Sequence, residues 1–373
     1  MTLLGLAVGG GVPGAANAQR VWHTAVYPTF RYSTVDGFWG AANVAVSTPI
    51  GFTERREAYA ARYAFSAGWS TSGSYAYVAD AALPAYWEGW RLRVTAAATR
   101  DNRLGFYGIG NETPYVPGKV TTVDPFYYRV SRSRGYARLT LGRQLIGPLR
   151  VFVGGTIERT SFRSLPGATV FRTSFAGDTT QSPVTDKVVR GGLVFDTRDN
   201  EVDPHTGVYL EALFANGTGY TRTGGGARGF ISPLPRLTLA GRIAGEEMTG
   251  APLVAEQLQM ESSEQSFVAL GGYYSLRGFY DARYIGSGKL LGGVEARYAL
   301  VWSPTVVKLV LGGFYDTGRV FGPGESFQLT TNGLHHTGGG ELALRFLRNS
   351  LLVIGVGAGD EGAELLFAGS WSY

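Results

Sequence analysis

The chain has 373 residues, with 44% hydrophobic and 13% aromatic content, 55 glycines, no cysteine, 17% charged residues and a formal charge of +5. A mean hydropathy of −0.01 with so few charges is unlike a disordered chain, and no uninterrupted apolar run reaches the ~20 residues that a helical membrane span needs. Basic residues are scattered rather than gathered on one stripe, so the footprint of nucleic-acid binding is missing. Transmembrane β-barrels have such a composition, because lipid-facing and lumen-facing residues alternate and the average hydropathy cancels. The absence of cysteine suits an oxidising periplasm.

The first residues read as an address. Leu3 to Val8 form a short apolar run, and Ala16-Asn17-Ala18 stand before Gln19. This is the pattern of a signal peptide over residues 1–18 with a small-residue cleavage site. No basic stretch precedes the run, so the start is expected to lie inside a longer leader. Residues 19–373 are then expected to form one outer-membrane β-barrel domain.

From Val21 onward, alternating segments of roughly ten residues are separated by turn formers. Thr24–Tyr32 and Gly37–Ser47 flank the turn Ser33-Thr34-Val35-Asp36. Arg56–Ser70, Ser74–Leu83 and Trp90–Arg100 follow, and Arg91, Arg93 and Thr95 share one face of the last. A one-residue slip would put those arginines in lipid, so the alternation itself sets the wet face. Phe106 to Thr113 open a polar loop to Asp124. Phe126–Gln144 and Leu149–Thr160 are joined by Ile146-Gly147-Pro148, and a second loop spans Ser161–Asp186. Lys187–Phe195 runs into Asp196-Thr197-Arg198-Asp199-Asn200 and Asp203-Pro204-His205-Thr206-Gly207, a turn built from Asx, Pro and Gly. Val208–Phe214 sets Glu211 opposite Val208, Leu210, Ala212 and Phe214. Gly224-Gly225-Gly226 read as a short loop before Ala227–Ile231 and Arg236–Gly245. In the latter, Arg236, Thr238 and Arg242 face one way and Leu237, Leu239 and Ile243 the other.

Met248–Ser287 then lacks strand periodicity for nearly forty residues, a length unusual unless the loop is functional. Five strands follow: Lys289–Val301, Val306–Asp316, Glu341–Phe346, Leu351–Gly357 and Ala363–Tyr373. With about eleven before the loop, the count is about sixteen, an even number as bacterial barrels require. In the last strand Leu365, Phe367, Trp371 and Tyr373 alternate with Glu364, Ser370 and Ser372.

Nothing in the sequence assembles a catalytic site. The four histidines are His23, His205, His335 and His336; the adjacent pair falls in a predicted loop and lacks the i, i+4 spacing of a helical zinc site. No Gly-x-Ser-x-Gly elbow occurs, and Gly108-Ile109-Gly110 lacks the third glycine and strand–loop–helix setting of a nucleotide site. The expectation is a non-enzyme with no metal and no cofactor.

Three pieces of the C-terminal half carry a resemblance when taken together: Leu276-Arg277-Gly278-Phe279, Gly293-Val294-Glu295-Ala296-Arg297-Tyr298 and Phe314-Tyr315-Asp316-Thr317-Gly318-Arg319-Val320. In this order they resemble the signature of the bacterial surface antigen barrels, the BamA/TamA-type outer-membrane superfamily of assembly and translocation proteins. The Asp196–Arg198–Asp199–Asn200 stretch is similar to that family's periplasmic strand end. The terminal alternation through Phe367, Trp371 and Tyr373 resembles the sorting strand of outer-membrane barrels, with tyrosine where phenylalanine is commoner.

The resemblance implies an all-β fold, a closed antiparallel barrel in the outer membrane of a Gram-negative bacterium, and a sixth extracellular loop folded into the lumen. It implies that Arg277 tips that loop and meets Asp316 and Glu295, that Gly278 allows a tight tip, and that Phe279 packs on the wall. Family barrels offer a weakly paired seam to a client strand, which could add by β-augmentation. Expected partners are outer-membrane lipid, unfolded or exported client proteins and a separate periplasmic module, since no periplasmic POTRA module fits between Gln19 and the first strand. No nucleic-acid partner is expected. A passive pore and a structural surface antigen remain as other roles.

Overall fold

The computed structural model describes residues 21–33, 36–49, 57–175, 183–303, 307–346 and 350–373; the signal peptide expected over 1–18 lies outside them. In chain order the strands are β1 His23–Ser33, β2 Gly37–Pro49, β3 Tyr59–Ser70, β4 Tyr75–Trp87, β5 Trp90–Gly105, β6 Arg129–Ile146 and β7 Leu149–Ser164. They continue with β8 Val184–Asp196, β9 Gly207–Gly217, β10 Tyr220–Leu234, β11 Leu237–Gly250, β12 Gln259–Met260 and β13 Phe267–Val268. The last are β14 Gly288–Ser303, β15 Val307–Phe321, β16 His335–Phe346, β17 Ser350–Gly359 and β18 Gly362–Ala368. Sixteen of them form one sheet in chain order, while β12 and β13 make a separate small ladder inside the connection between β11 and β14. Eleven sheet strands precede that connection and five follow it, in agreement with the count read from the sequence.

Alternation decides what each face of the sheet carries. Along β15, Lys308, Val310, Phe314 and Asp316 are buried, while Leu311 and Tyr315 are exposed. The neighbouring strands repeat this, with Glu295 and Arg297 buried beside exposed Val294 and Tyr298, and Glu341 buried beside exposed Leu342. The sheet is therefore apolar where it is open and charged where it is covered. An apolar surface of this extent is tolerated when lipid is the solvent. No helix among the described residues is long and apolar enough to cross a membrane.

In an antiparallel meander the connections fall alternately at two ends. From β9 onward the long connections 251–287 and 322–334 fall at one end, together with the tight turns 218–219 and 360–361, and the two-residue turn 235–236 falls at the other. By the usual asymmetry the first end is extracellular and the second periplasmic. The connection 251–287 falls at the extracellular end.

The chain divides into two compact units, one comprising the residues up to Leu104 with Thr122–Leu145 and Phe152–Val189, the other Gly105–Thr121, Ile146–Val151 and Arg190–Tyr373. Within the first, the face predicted to be wet is polar. Arg93 Nε and Thr95 Oγ1 both donate to Asp80 Oδ2, at 3.0 and 2.7 Å, and Arg132 donates through Nε and Nη2 to Asp101 Oδ2. The second unit holds the long connection and the features below.

Two sequence expectations are corrected here. Gly224–Gly226 is no loop but the middle of β10, with Gly225 opposite both Ala212 and Gly245; glycines without side chains erase the alternation that would have revealed the strand. His335 and His336 begin β16 rather than sitting in a loop. They point to opposite faces, His335 stacking on Tyr284 at 3.8 Å and His336 bonding the Tyr315 hydroxyl at 2.7 Å.

Leu311, the fifth residue of β15, pairs with outward-facing Tyr298 and Leu342. Leu311→Arg is expected to cost about 2–4 kcal/mol in urea titrations of the protein folded into lipid vesicles, and Leu311→Phe to be near neutral.

Candidate functional site

The covered faces of β14, β15 and β16 present Glu295, Asp316 and Glu341 to one spot. Three carboxylates under cover are unstable unless cations meet them with good geometry. The 251–287 connection brings the first cation. Arg277 is fully buried, its Nε and Nη2 donating to the two oxygens of Asp316 at 2.7 and 3.0 Å. Its Nη1 donates to Glu295 Oε2 at 2.6 Å and reaches Glu341 Oε2 at 3.4 Å. The planar fork thus takes one carboxylate bidentately and a second end-on, an arrangement lysine cannot copy. Phe314 lies beneath the guanidinium, 3.6 Å from its ring centroid, adding a cation–π contact.

Two wall arginines complete the charge balance among the described residues. Arg297 Nε donates to Glu295 Oε1 at 2.5 Å. Arg242 Nη2 lies 3.3 Å from Asp316 Oδ1 and also donates to the Ser275 carbonyl at 2.8 Å, while its Nη1 holds the Tyr274 carbonyl at 2.8 Å. Three guanidinium groups therefore interlock with three carboxylates, and the loop backbone is tied down beside its own arginine.

The tip lies flat on β17. A Cβ on Gly278 would stand 2.5 Å from the Ala358 carbonyl carbon, and one on Gly357 would stand 2.2 Å from the Arg277 carbonyl oxygen. Gly278 serves close backbone approach rather than a positive φ. Leu276 and Phe279 are buried with Leu291 and Val320 of β14 and β15.

A second arginine fastens the loop nearer the extracellular end. Arg283 pairs with Glu361, in the turn between β17 and β18, through Nε at 2.7 Å and Nη2 at 2.6 Å. It also donates to the Thr113 hydroxyl and carbonyl, so the 106–128 connection is held to the same guanidinium.

At the periplasmic end, Arg198 is bidentate on Asp196 at 3.1 Å for each bond and reaches Glu264 at 2.7 Å. Asn200 Oδ1 accepts from the backbone of Val202 and Asp203, and Asp199 Oδ1 from the backbone of His205 and Thr206. Partial burial on its own raises the Asp199 pKa, but the bonds from the His205 ring and these N–H groups more than offset it, bringing it down to about 2.

The terminal strand departs from expectation. β18 ends at Ala368; Phe367 stays on the exposed face, whereas Trp371 and Tyr373 are buried. The Trp371 indole N–H donates to Asp203 at 3.0 Å with the Arg297 guanidinium 4.0 Å from its ring. Tyr373 lies 4.4 Å from the Arg242 guanidinium and packs with Phe230 and Ala240. An indole N–H in lipid has no acceptor, and the covered face supplies a carboxylate and cations for both rings. Asp203, read from sequence as a turn residue, is also held by Lys308 and Arg345 at 2.7 and 2.9 Å.

Sequence reasoning named Arg277, Glu295 and Asp316, which stand in direct contact, and did not name Arg242, Arg297 or Glu341 as site residues. The signal was present in the alternation, since Arg242 already faced away from Leu239 and Ile243 and Glu341 follows the same parity in β16.

By sequence the chain matches no family model and no curated protein. By structure it is similar to BamA from Haemophilus ducreyi lacking POTRA domains 1–3, with TM-score 0.56, 12% identity, and 93% of this chain and 68% of that one covered. It is likewise similar to CdiB from Escherichia coli, with TM-score 0.62, 12% identity, and 98% and 66% covered. The chain thus spans about two thirds of the length of these proteins. The fold is that of the outer-membrane β-barrels to which BamA and CdiB belong.

Removing the loop arginine strands buried carboxylates. Arg277→Ala is expected to destabilise the folded protein by about 3–5 kcal/mol, read as an earlier loss of the compact band on heating in cold-SDS gels, and Arg277→Lys to recover only part of this. For Asp199 the folded pKa lies below the ordinary aspartate value of ~3.9. Its contribution is therefore present above about pH 4 and lost as pH falls toward 2. The difference in urea midpoint between wild type and Asp199→Asn should shrink to nothing across that window.

Proposed function

We propose that this chain is an assembly or translocation barrel of the surface antigen type. In this reading the 251–287 loop plugs the lumen and holds the terminal strands in line through Arg277. The observation that carries it is the loop arginine buried among carboxylates of three consecutive strands. A plug that only filled space would pack by apolar contact and would not need matched charges at its tip. β18 has seven residues and the chain then turns away from the sheet, so β18 offers only a short ladder to a neighbouring strand. A short ladder leaves main-chain groups for a client strand to take by β-augmentation. Outer-membrane lipid and unfolded or exported proteins are the proposed partners, with a separate periplasmic module delivering the client. No catalytic chemistry is proposed.

A passive pore is the second reading, favoured by the charged residues on the covered faces, which would set solute selectivity if the loop left. The deciding measurement times the folding of an unrelated small outer-membrane protein into liposomes holding the purified barrel. Acceleration by the wild type that Arg277→Ala abolishes is expected. No acceleration, with steady conductance through the same vesicles, would favour the pore.

A further inference from the structure

The loop has two halves of opposite polarity. From Leu276 on, its arginines Arg277 and Arg283 meet carboxylates. Before that, its carboxylates meet arginines. Glu256 pairs with Arg222 of β10 at 3.0 Å, Glu261 with Arg190 of β8 at 2.7 Å, and Glu264 with both Arg198 at 2.7 Å and Arg228 of β10 at 3.1 Å.

These pairs are ordered along the wall. β10 starts at the extracellular end, so Arg222 lies near it and Arg228 six positions further down, about 20 Å away at the usual rise of a strand. Arg198 lies in the periplasmic turn after β8. The acidic stretch therefore descends along a basic lane that runs most of the length of the strands.

The wall also reads the main chain of its occupant. Glu246 of β11 accepts from the Glu261 backbone N–H at 2.8 Å. Glu211 of β9 accepts from the Ser263 N–H at 2.9 Å and from the hydroxyls of Ser262 and Ser263 at 3.0 and 2.8 Å. Arginines placed for side-chain carboxylates and carboxylates placed for backbone N–H groups together define a peptide-binding surface, not a diffuse positive field.

We propose that the covered face of β8 to β10 is a binding lane for an acidic, extended polypeptide segment, and that the Glu256–Glu264 stretch is its resident occupant in the closed state. An incoming segment with carboxylates at similar spacing replaces the resident pair for pair, so no arginine is left buried without a partner during the exchange. The lane rests on the reading of the loop as a plug, but not on client folding, so an inert barrel in the liposome assay would leave it standing.

The test uses the full chain carrying Glu256→Gln, Glu261→Gln and Glu264→Gln, first checked for the compact band on a cold-SDS gel. In planar bilayers this variant is expected to conduct with a several-fold preference for chloride over potassium. A short poly-glutamate peptide should block that current and bind the detergent-solubilised variant in fluorescence anisotropy, while the wild type, its lane filled, binds far less. Adding Arg222→Gln and Arg228→Gln should weaken peptide binding by roughly tenfold or more, as expected for losing charge-assisted contacts. A variant that neither conducts nor binds poly-glutamate, a cation-selective pore, or equal block by poly-lysine would each overturn the proposal. If the triple variant does not fold, Glu264→Gln alone, whose side chain is 37% exposed, gives the same comparison at smaller amplitude.

Discussion

A guanidinium with no exposed surface has to find carboxylates within hydrogen-bond reach, and much of the second unit is arranged around that need. Asp316, Glu295 and Glu341 come from three neighbouring strands, so Arg277 can meet them together only if β14, β15 and β16 keep their register. The dependence runs both ways. The strands place the carboxylates, and the loop cation makes it tolerable to have three of them covered. A buried ion pair adds little net stability over a well-packed apolar contact, but breaking one costs a great deal. Such a cluster is better suited to fixing one arrangement against its alternatives than to adding to overall stability.

The same argument explains why the loop changes polarity along its length. Its first half rests where the wall carries Arg190, Arg198, Arg222 and Arg228, and its second where the wall carries Glu295, Asp316 and Glu341. Sliding the loop along the wall would set like charges against each other. Register is thus written into the loop twice, by ion pairs of opposite sense in its two halves. Apolar packing around Leu276 and Phe279 would tolerate a small slide; charge inversion does not.

The sheet was legible because alternation is a local signal. The parity of β5, β9 and β11 could be read from consecutive residues, and with it the wet face. Where the side-chain signal vanished, as at Gly224–Gly226, the strand was missed. The Arg277 contacts with Glu295 and Asp316 came through resemblance, because no spacing along the chain says that residues 39 positions apart will touch. Arg297, two positions from Glu295 on one strand, lay within reach of parity alone. The Arg283–Glu361 latch did not, since both residues lie outside the sheet strands, where periodicity carries no information.

The C-terminal residues show why pattern alone misplaced them. Leu365, Phe367, Trp371 and Tyr373 keep the same parity, and an alternating strand running to the last residue would place both terminal rings in lipid. Parity, however, weighs only apolar area, and the Trp371 indole N–H is a polar group that lipid cannot satisfy. The covered face offers an Asp203 carboxylate to the indole N–H and the Arg242 and Arg297 guanidinium groups to the ring faces. Gly369 follows the last strand residue and lets the chain leave the ladder at low steric cost. The Arg297 bond to the Tyr373 carbonyl at 3.1 Å then joins the tail to the same network that holds Arg277. Loop and tail consequently share Arg242 directly and Arg297 through Glu295, and a movement of either alters the partners of the other.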